Sequence, residues 1–246
     1  MSEISFVFID EEIPILQDFC CYGQQRLQVF LIFIIEVDII SILSVKWKTD
    51  ICYRDRSMLT MMTLFKSLVR SKLEYCCPLW NPSKISDIQT IENVQKQFTK
   101  KINGLQELDY WERLFRLKLL SLQRRRERYS IIHVWKMYHG FAPNNIGLKF
   151  YTSPRLGTRV TIPKFNHQAQ SSYSTAYDNS FAIKAARLWN VLPKSVNSIT
   201  LLEPFKAGLG SFLNQFPDKP PVKGYTPPNG NSLLDWCAAG GNGVCA

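Results

Sequence analysis

The sequence predicts a mainly α-helical protein, an irregular helical bundle with long loops. Apolar residues recur at three- and four-residue steps through most of residues 57–140 and again through 179–216, which is the period of an amphipathic helix. Apolar residue types make up 46% of the 246 residues and charged types only 20%, so the chain has enough apolar surface to bury a core.

Residues 1–56 form an apolar and acidic segment unlike the rest of the chain. Val, Ile and Phe dominate the run from Val29 to Val45, and because these types favour strands we expect a β-prone segment. Glu36 and Asp38 disfavour a membrane span there, since a charge at a bilayer centre costs about 2.5 to 3.5 kcal/mol. The acidic N-terminus argues against a signal peptide, so we expect an intracellular protein, nuclear or cytoplasmic.

Start and stop signals divide residues 57–140 into successive helices. Ser57 and Ser121 are good N-cap residues. Asp109 and Glu112 have the spacing of a capping box, which predicts a short helix beginning there.

Two breaks separate these helices. Pro78 and Pro82 interrupt regular helix, and we expect Trp80 between them to anchor the following helix to the core. Gly104 is a natural stop for the helix that runs through residues 85–102.

Proline and glycine mark two irregular regions further along the chain. Residues 141–178 are interpreted as a linker or variable loop, in which 158–165 is expected to form a short strand. Helix is predicted to resume over 179–216. The Pro- and Gly-rich residues 217–246 are expected to form a disordered tail, because this composition rarely packs a core.

Positive charge is concentrated in the predicted helical part of the chain. Residues 51–140 carry 17 Lys and Arg against 8 Asp and Glu, whereas residues 1–50 carry 3 against 8. Basic clusters bind nucleic-acid phosphates with little sequence preference by releasing counterions. A solvated basic face would explain the same charge, and the composition alone leaves both interpretations open.

Two basic clusters supply the candidate nucleic-acid-binding residues, which are Lys96, Lys100, Lys101, Arg124, Arg125 and Arg128. Arginine is the preferred phosphate ligand because its planar fork donates two hydrogen bonds at once. Together with Arg126, the arginines spread around a helix and cannot all face one strand. We therefore expect two of them to contact nucleic acid and the others to be solvated or paired with acids such as Glu127.

Nothing in the sequence predicts a metal centre. The seven cysteines lack zinc-type spacing and have no nearby paired histidines, and reduced thiols are expected. The chain contains no Asp-Asp pair of the kind that holds catalytic metal ions.

Three stretches of the chain resemble one enzyme family. They are LVRSKLEYCCPLWNP with SKISDIQTIENVQKQFTKKING at 68–104, YWERLFRLKLLSLQRRRERYSIIHVWKMYHG at 110–140, and FAIKAARLWNVLPKSVNSITLLEPFKAGL at 181–209. Together they resemble the region just after the polymerase core in reverse transcriptases of non-LTR retrotransposons, the jockey-like LINE elements. The resemblance covers residues 59–214 and begins after the catalytic palm.

The resemblance implies an RNA-directed DNA polymerase as the parent protein, with Mg²⁺ held by a Tyr-x-Asp-Asp turn. Nothing in this chain matches that turn, so we expect no cofactor and no polymerisation by this chain alone. The expected function is that of a polymerase fragment that retains non-specific binding to RNA or DNA. The alternative is a structural or interaction module, or a remnant without function. Neither a membrane partner nor a small-molecule substrate is expected.

Overall fold

The computed structural model describes residues 56–75, 77–144, 150–152, 163–165 and 180–240. This part of the chain is mainly helical, which confirms the predicted fold class. The β-prone segment predicted over residues 1–56 lies outside the described residues except for Arg56, and so does most of the predicted linker.

The helices, in chain order, are α1 (Met58–Leu64), a π-helical segment (Phe65–Arg70), α2 (Ser71–Glu74), α3 (Cys77–Trp80), α4 (Ile85–Lys100), α5 (Tyr110–Leu117), α6 (Leu122–Tyr138), α7 (Phe181–Asn190), α8 (Lys194–Asn197), α9 (Leu202–Leu213) and α10 (Leu233–Gly240). Two short strands, β1 (Phe150–Thr152) and β2 (Pro163–Phe165), pair antiparallel with Phe150 opposite Phe165. Strand β2 falls within the range predicted for a strand and lies beside α7.

The predicted N-caps form in two of three cases. Ser57 accepts a hydrogen bond from the Thr60 N–H at 3.4 Å, and Ser121 accepts one from the Arg124 N–H at 3.0 Å. Asp109 has extended backbone at the start of α5 but makes no side-chain cap bond, so the predicted capping box is wrong in its hydrogen bonding although the helix begins where expected.

In the described part of the chain, two large apolar clusters form most of the interior. The first joins α1, the π-helical segment and α4 around Met61, Phe65, Phe98 and Ile102. Trp80 belongs to it, is 1% exposed and donates its Nε1–H to the Tyr75 carbonyl at 2.6 Å, as its predicted anchoring role requires.

The second cluster joins α6 to α7 and α9. Trp135 and Trp189 are both fully buried there, and the ring of Phe205 stacks on Trp135 with centroids 5.4 Å apart. The Trp135 Nε1–H donates to the Ile199 carbonyl at 2.9 Å, which satisfies the polar atom of this large side chain.

The predicted disordered tail is wrong for residues 217–240. Val222 and Tyr225 exchange backbone hydrogen bonds of 2.9 and 2.8 Å, α10 begins at Leu233, and Leu233 is fully buried in the second cluster. Composition is a local property, whereas Ser121, Arg124 and Glu127, which hold this segment, lie at the start of α6, about a hundred positions earlier in the chain. Residues 241–246 lie outside the described residues.

Two cysteines of the described part differ in chemical state. Cys77 is a buried thiol, whereas Cys237 is disulfide-bonded, which differs from the expectation of reduced thiols.

None of the helices in the described part of the chain combines the length and the hydropathy that a bilayer span requires.

Candidate nucleic-acid interface

The first two turns of α6 carry the arginines singled out in the sequence. Successive residues of an α-helix are 100° apart, so neighbouring side chains point in different directions. The structure accordingly separates these arginines into two groups, one buried in the interior and one at the surface.

Arg124 belongs to the interior. It is 1% exposed, and its Nη2 donates to the carbonyls of Pro217 and Asn231, both at 3.0 Å. Its Nε lies 4.0 Å from carboxylate oxygens of Glu127 and Asp218. Arg124 therefore does not belong to the candidate interface. Its guanidinium is bound to carbonyls of the C-terminal segment inside the fold and cannot reach a phosphate at the surface.

Arg126 is also buried, at 1% exposure, and its Nε donates to the Asn81 Oδ1 at 3.0 Å. Its guanidinium lies over the Trp80 ring, with 5.9 Å between its Cζ and the ring centroid. Burial lowers the pKa of Arg126, and the nearby Glu92 carboxylate opposes that effect. This residue holds α6 against α3 and α4.

Arg125 and Arg128 are both partly exposed, with the Arg125 side chain 18% exposed. Arg125 binds the Glu74 carboxylate through its Nε and through its Nη2, the latter at 3.0 Å, and Tyr129 joins the same carboxylate at 3.0 Å. Burial alone would lower the pKa of Arg125, but the hydrogen-bonded Glu74 outweighs burial and the pKa is raised.

Arg128 is the more accessible of the two. It is half-buried, and its Nη2 donates to the Lys206 carbonyl at 3.3 Å. Burial and the positive charge of Arg125 both lower its pKa. A guanidinium held beside a like charge is stabilised when an anion approaches, which is the electrostatic property of a phosphate contact.

Arg70 completes this surface group, although no sequence pattern singled it out as a binding residue. Its Nε lies 3.7 Å from the Glu74 carboxylate, and its pKa is lowered by burial and then by Arg125. The four-residue spacing of Arg70 and Glu74 was the available signal, but it indicates only a helical ion pair. We call Arg70, Arg125 and Arg128 the arginine cluster.

The arginine cluster carries an excess of positive charge. Arg70 and Arg125 share the carboxylate of Glu74, and Arg128 adds a third guanidinium beside Arg125. Glu203, the carboxylate whose charge opposes the lowering of the Arg128 pKa, is itself bound to Lys206 at 2.8 Å. This excess lies on a surface built by the π-helical segment, α2 and α6.

Of the predicted lysines, Lys96 and Lys100 lie on α4 and Lys101 directly follows it. Lys96 and Lys100 are one helical turn apart, with Lys96 half-buried and Lys100 exposed. Lys101 follows the helix end, where burial and then Arg56 lower its pKa. The backbone beneath them is braced by Arg113, whose Nη2 donates to the Lys96 carbonyl at 3.2 Å.

The described part of the chain contains no group of three or more His, Cys, Asp or Glu side chains arranged to hold a metal ion.

Comparisons of the chain with models of protein families, with curated proteins and with solved structures found no match.

Proposed function

We propose that this chain binds RNA or DNA without sequence preference, using the arginine cluster to contact phosphates. The observation that carries the proposal is a group of three guanidinium groups with one shared carboxylate. Arg70 and Arg125 both pair with Glu74, and Arg128 lies close enough to Arg125 for that positive charge to lower its pKa. The cluster holds its guanidinium groups in place before any ligand binds, so little side-chain entropy is lost when a phosphate is bound.

The lysines of α4 extend the proposal to a second contact. Lys96 and Lys100 present two charges one turn apart, close to the 5.4 Å pitch of a helix. Lysine acts as a flexible point charge, so these residues would add affinity and salt dependence without specificity.

The origin of the chain is part of the same proposal. We infer a fragment from the C-terminal region of a non-LTR retrotransposon reverse transcriptase, on the strength of the three resembling stretches between residues 68 and 209. A reading frame encoding a palm directly upstream at the genomic locus would support this origin, and an unrelated upstream sequence would count against it.

Binding is tested by fluorescence anisotropy with labelled single-stranded RNA and duplex DNA of mixed sequence. We expect the affinity to fall linearly with salt on logarithmic axes. Arg128→Ala should weaken binding about tenfold at 0.1 M salt and reduce the salt slope by about 1 for both probes.

The matched control is Lys84→Ala, which removes the same charge from an exposed position outside the arginine cluster. The proposal fails if the wild-type protein does not bind either probe at low salt. It also fails if both variants weaken binding equally, since net charge and not the cluster would then govern affinity.

The alternative of a structural or interaction module also has an observation behind it. Arg124 and Arg126 are half of the basic run that opens α6, and both are buried and hydrogen-bonded within the fold. Absence of nucleic-acid binding in a folded, cooperatively unfolding protein would favour this alternative.

A further inference from the structure

A second surface, formed by α5 and the C-terminal segment, combines one exposed phenyl ring and two half-buried aromatic rings with lysines. Phe115 is 85% exposed, the most exposed large apolar side chain in the described part of the chain. Trp111 lies one turn earlier on the same helix face and is half-buried. Tyr225 meets Trp111 edge-on, with 4.7 Å between the ring centroids. We call these three residues the aromatic surface.

The backbone fixes the position of Tyr225. Val222 and Tyr225 exchange hydrogen bonds across a tight turn in which Gly224 has a φ of 89°, a conformation that favours glycine. The Gln89 side chain on α4 donates to the Val222 carbonyl at 3.3 Å and so ties this turn to the helices. The ring of Tyr225 is therefore held against Trp111 and not carried on a loose loop.

One lysine contacts an aromatic ring of this surface, and two more lie within three positions of its aromatic residues along the chain. The Lys219 ammonium lies 5.8 Å from the centroid of the Trp111 ring, within the range of a cation–π contact. Lys118 ends α5 in a left-handed conformation with φ 51° and is exposed, three positions after Phe115. Lys223 is exposed in the turn before Tyr225.

The acidic residue of α5 does not cancel this charge. Glu112 pairs with Arg116 at 3.6 Å on the exposed face, so its carboxylate is already engaged and is not the partner of Lys118, Lys219 or Lys223. Single exposed apolar residues are ordinary on protein surfaces. Here an almost fully exposed phenyl ring is combined with two further aromatic residues and three lysines, and this combination suits unpaired bases on a charged backbone.

We propose that the aromatic surface binds single-stranded nucleic acid, with a base stacked on Phe115 and the phosphates beside the three lysines. The inference rests on the proposed function, because stacking adds to binding that phosphate contacts provide. Base faces are accessible in single strands and are hidden in a duplex, so this surface would discriminate between the two.

The test compares Phe115→Ala with the wild-type chain on a labelled single-stranded RNA and on a duplex of the same length. Phe115 is mostly exposed, so its replacement leaves the core intact. We expect Phe115→Ala to weaken single-strand binding about tenfold or more and to leave duplex binding unchanged. Phe115→Trp should retain single-strand binding because it preserves a stacking face, whereas Phe115→Leu should not.

Leu59→Ala is the control for loss of an exposed apolar side chain, since Leu59 is 79% exposed on α1. Photocrosslinking with 4-thiouridine RNA gives a second readout, and crosslinked peptides should include Trp111 or Phe115. Equal weakening of single-strand and duplex binding by Phe115→Ala, or no weakening, would overturn the inference.

The outcome is distinguishable from failure of the proposed function. If Arg128→Ala weakens binding and Phe115→Ala does not, phosphate binding stands and stacking is refuted. If the wild-type chain binds neither probe, both proposals are refuted.

Discussion

Glu92 and Tyr110 share a hydrogen bond of 2.7 Å in the fully buried centre of the fold, where the Tyr110 hydroxyl donates to the Glu92 Oε1. The same oxygen accepts the N–H of Leu122 at 3.1 Å. One carboxylate oxygen thus joins α4, α5 and the beginning of α6. Burial raises the pKa of Glu92 to about 7, although Arg126 and the Tyr110 hydrogen bond act in the opposite direction.

This raised pKa predicts a specific pH dependence of stability. A carboxyl whose folded pKa lies above its unfolded value of 4.5 stabilises the fold most below that value. The contribution is then lost as the pH rises to about 7, because the folded state must ionise a buried acid. The free energy of unfolding should fall over that window by at most about 3 kcal/mol from this group.

Urea denaturation across the window, with Glu92→Gln as the comparison, isolates this contribution. The introduced amide keeps an oxygen that can accept from Tyr110 and Leu122 but does not titrate. Glu127, whose pKa burial also raises, contributes with the same sign in both proteins and cancels in the difference. Identical pH profiles for the two proteins would refute the prediction.

Arg124 and Arg128 should have opposite roles in stability and binding. Arg124→Ala leaves the carboxylates of Glu127 and Asp218 without their guanidinium partner, which should lower the free energy of unfolding by about 3 kcal/mol. Arg128→Ala should cost less than about 1 kcal/mol, because Arg128 is partly exposed and, among the described residues, its guanidinium donates one hydrogen bond, to the Lys206 carbonyl. Thermal or urea unfolding measures both.

The binding assay completes the comparison of the two arginines. At temperatures where both variants are folded, Arg128→Ala should bind nucleic acid more weakly and Arg124→Ala should bind like the wild type. A folded Arg124→Ala variant with reduced affinity would show that Arg124 reaches the ligand after all.

Replacement by alanine should change the stability of the fold in opposite directions at two glycines. Gly230 has a φ of 74°, and a Cβ there would lie within clashing distance, 2.0 Å, of the Asp235 Oδ2, so Gly230→Ala should destabilise the fold by more than about 1 kcal/mol. Gly210 lies within α9 with nothing within 4 Å of an added Cβ, so Gly210→Ala should stabilise by about 0.5 to 1 kcal/mol. Melting temperatures that shift in the same direction would contradict this pair of predictions.

The helical architecture could be predicted from sequence because its signals are local. The apolar period predicted α4 and α6, and Ser57 and Ser121 predicted where two helices begin. Trp80 could be assigned to the core because Pro78 and Pro82 break the helix on either side of it, and a large apolar ring at such a break is expected to pack the next helix against the core. Each of these signals lies within a few residues of the structure it specifies.

The candidate site was predicted less well because exposure depends on distant residues. Arg124 and Arg128 are identical in type and four positions apart, yet Pro217 and Asn231 bind and cover Arg124 while Arg128 stays partly exposed. The order of residues 217–240 was missed for the same reason, since Glu127 accepts hydrogen bonds from the Ser232 hydroxyl at 2.5 Å and from the Leu233 N–H at 3.2 Å. A local sequence pattern cannot indicate partners that lie about a hundred positions away in the chain.

The bonds from α6 to the C-terminal segment also constrain the order in which a growing chain can complete its structure. Asp218 accepts from the Ser121 N–H and hydroxyl, both at 2.7 Å, and the second carbonyl bound by Arg124 belongs to Asn231. During synthesis the beginning of α6 therefore leaves the ribosome about a hundred residues before its partners do. Until Asn231 emerges, the guanidinium of Arg124 must stay hydrated, and this half of the fold can close only afterwards.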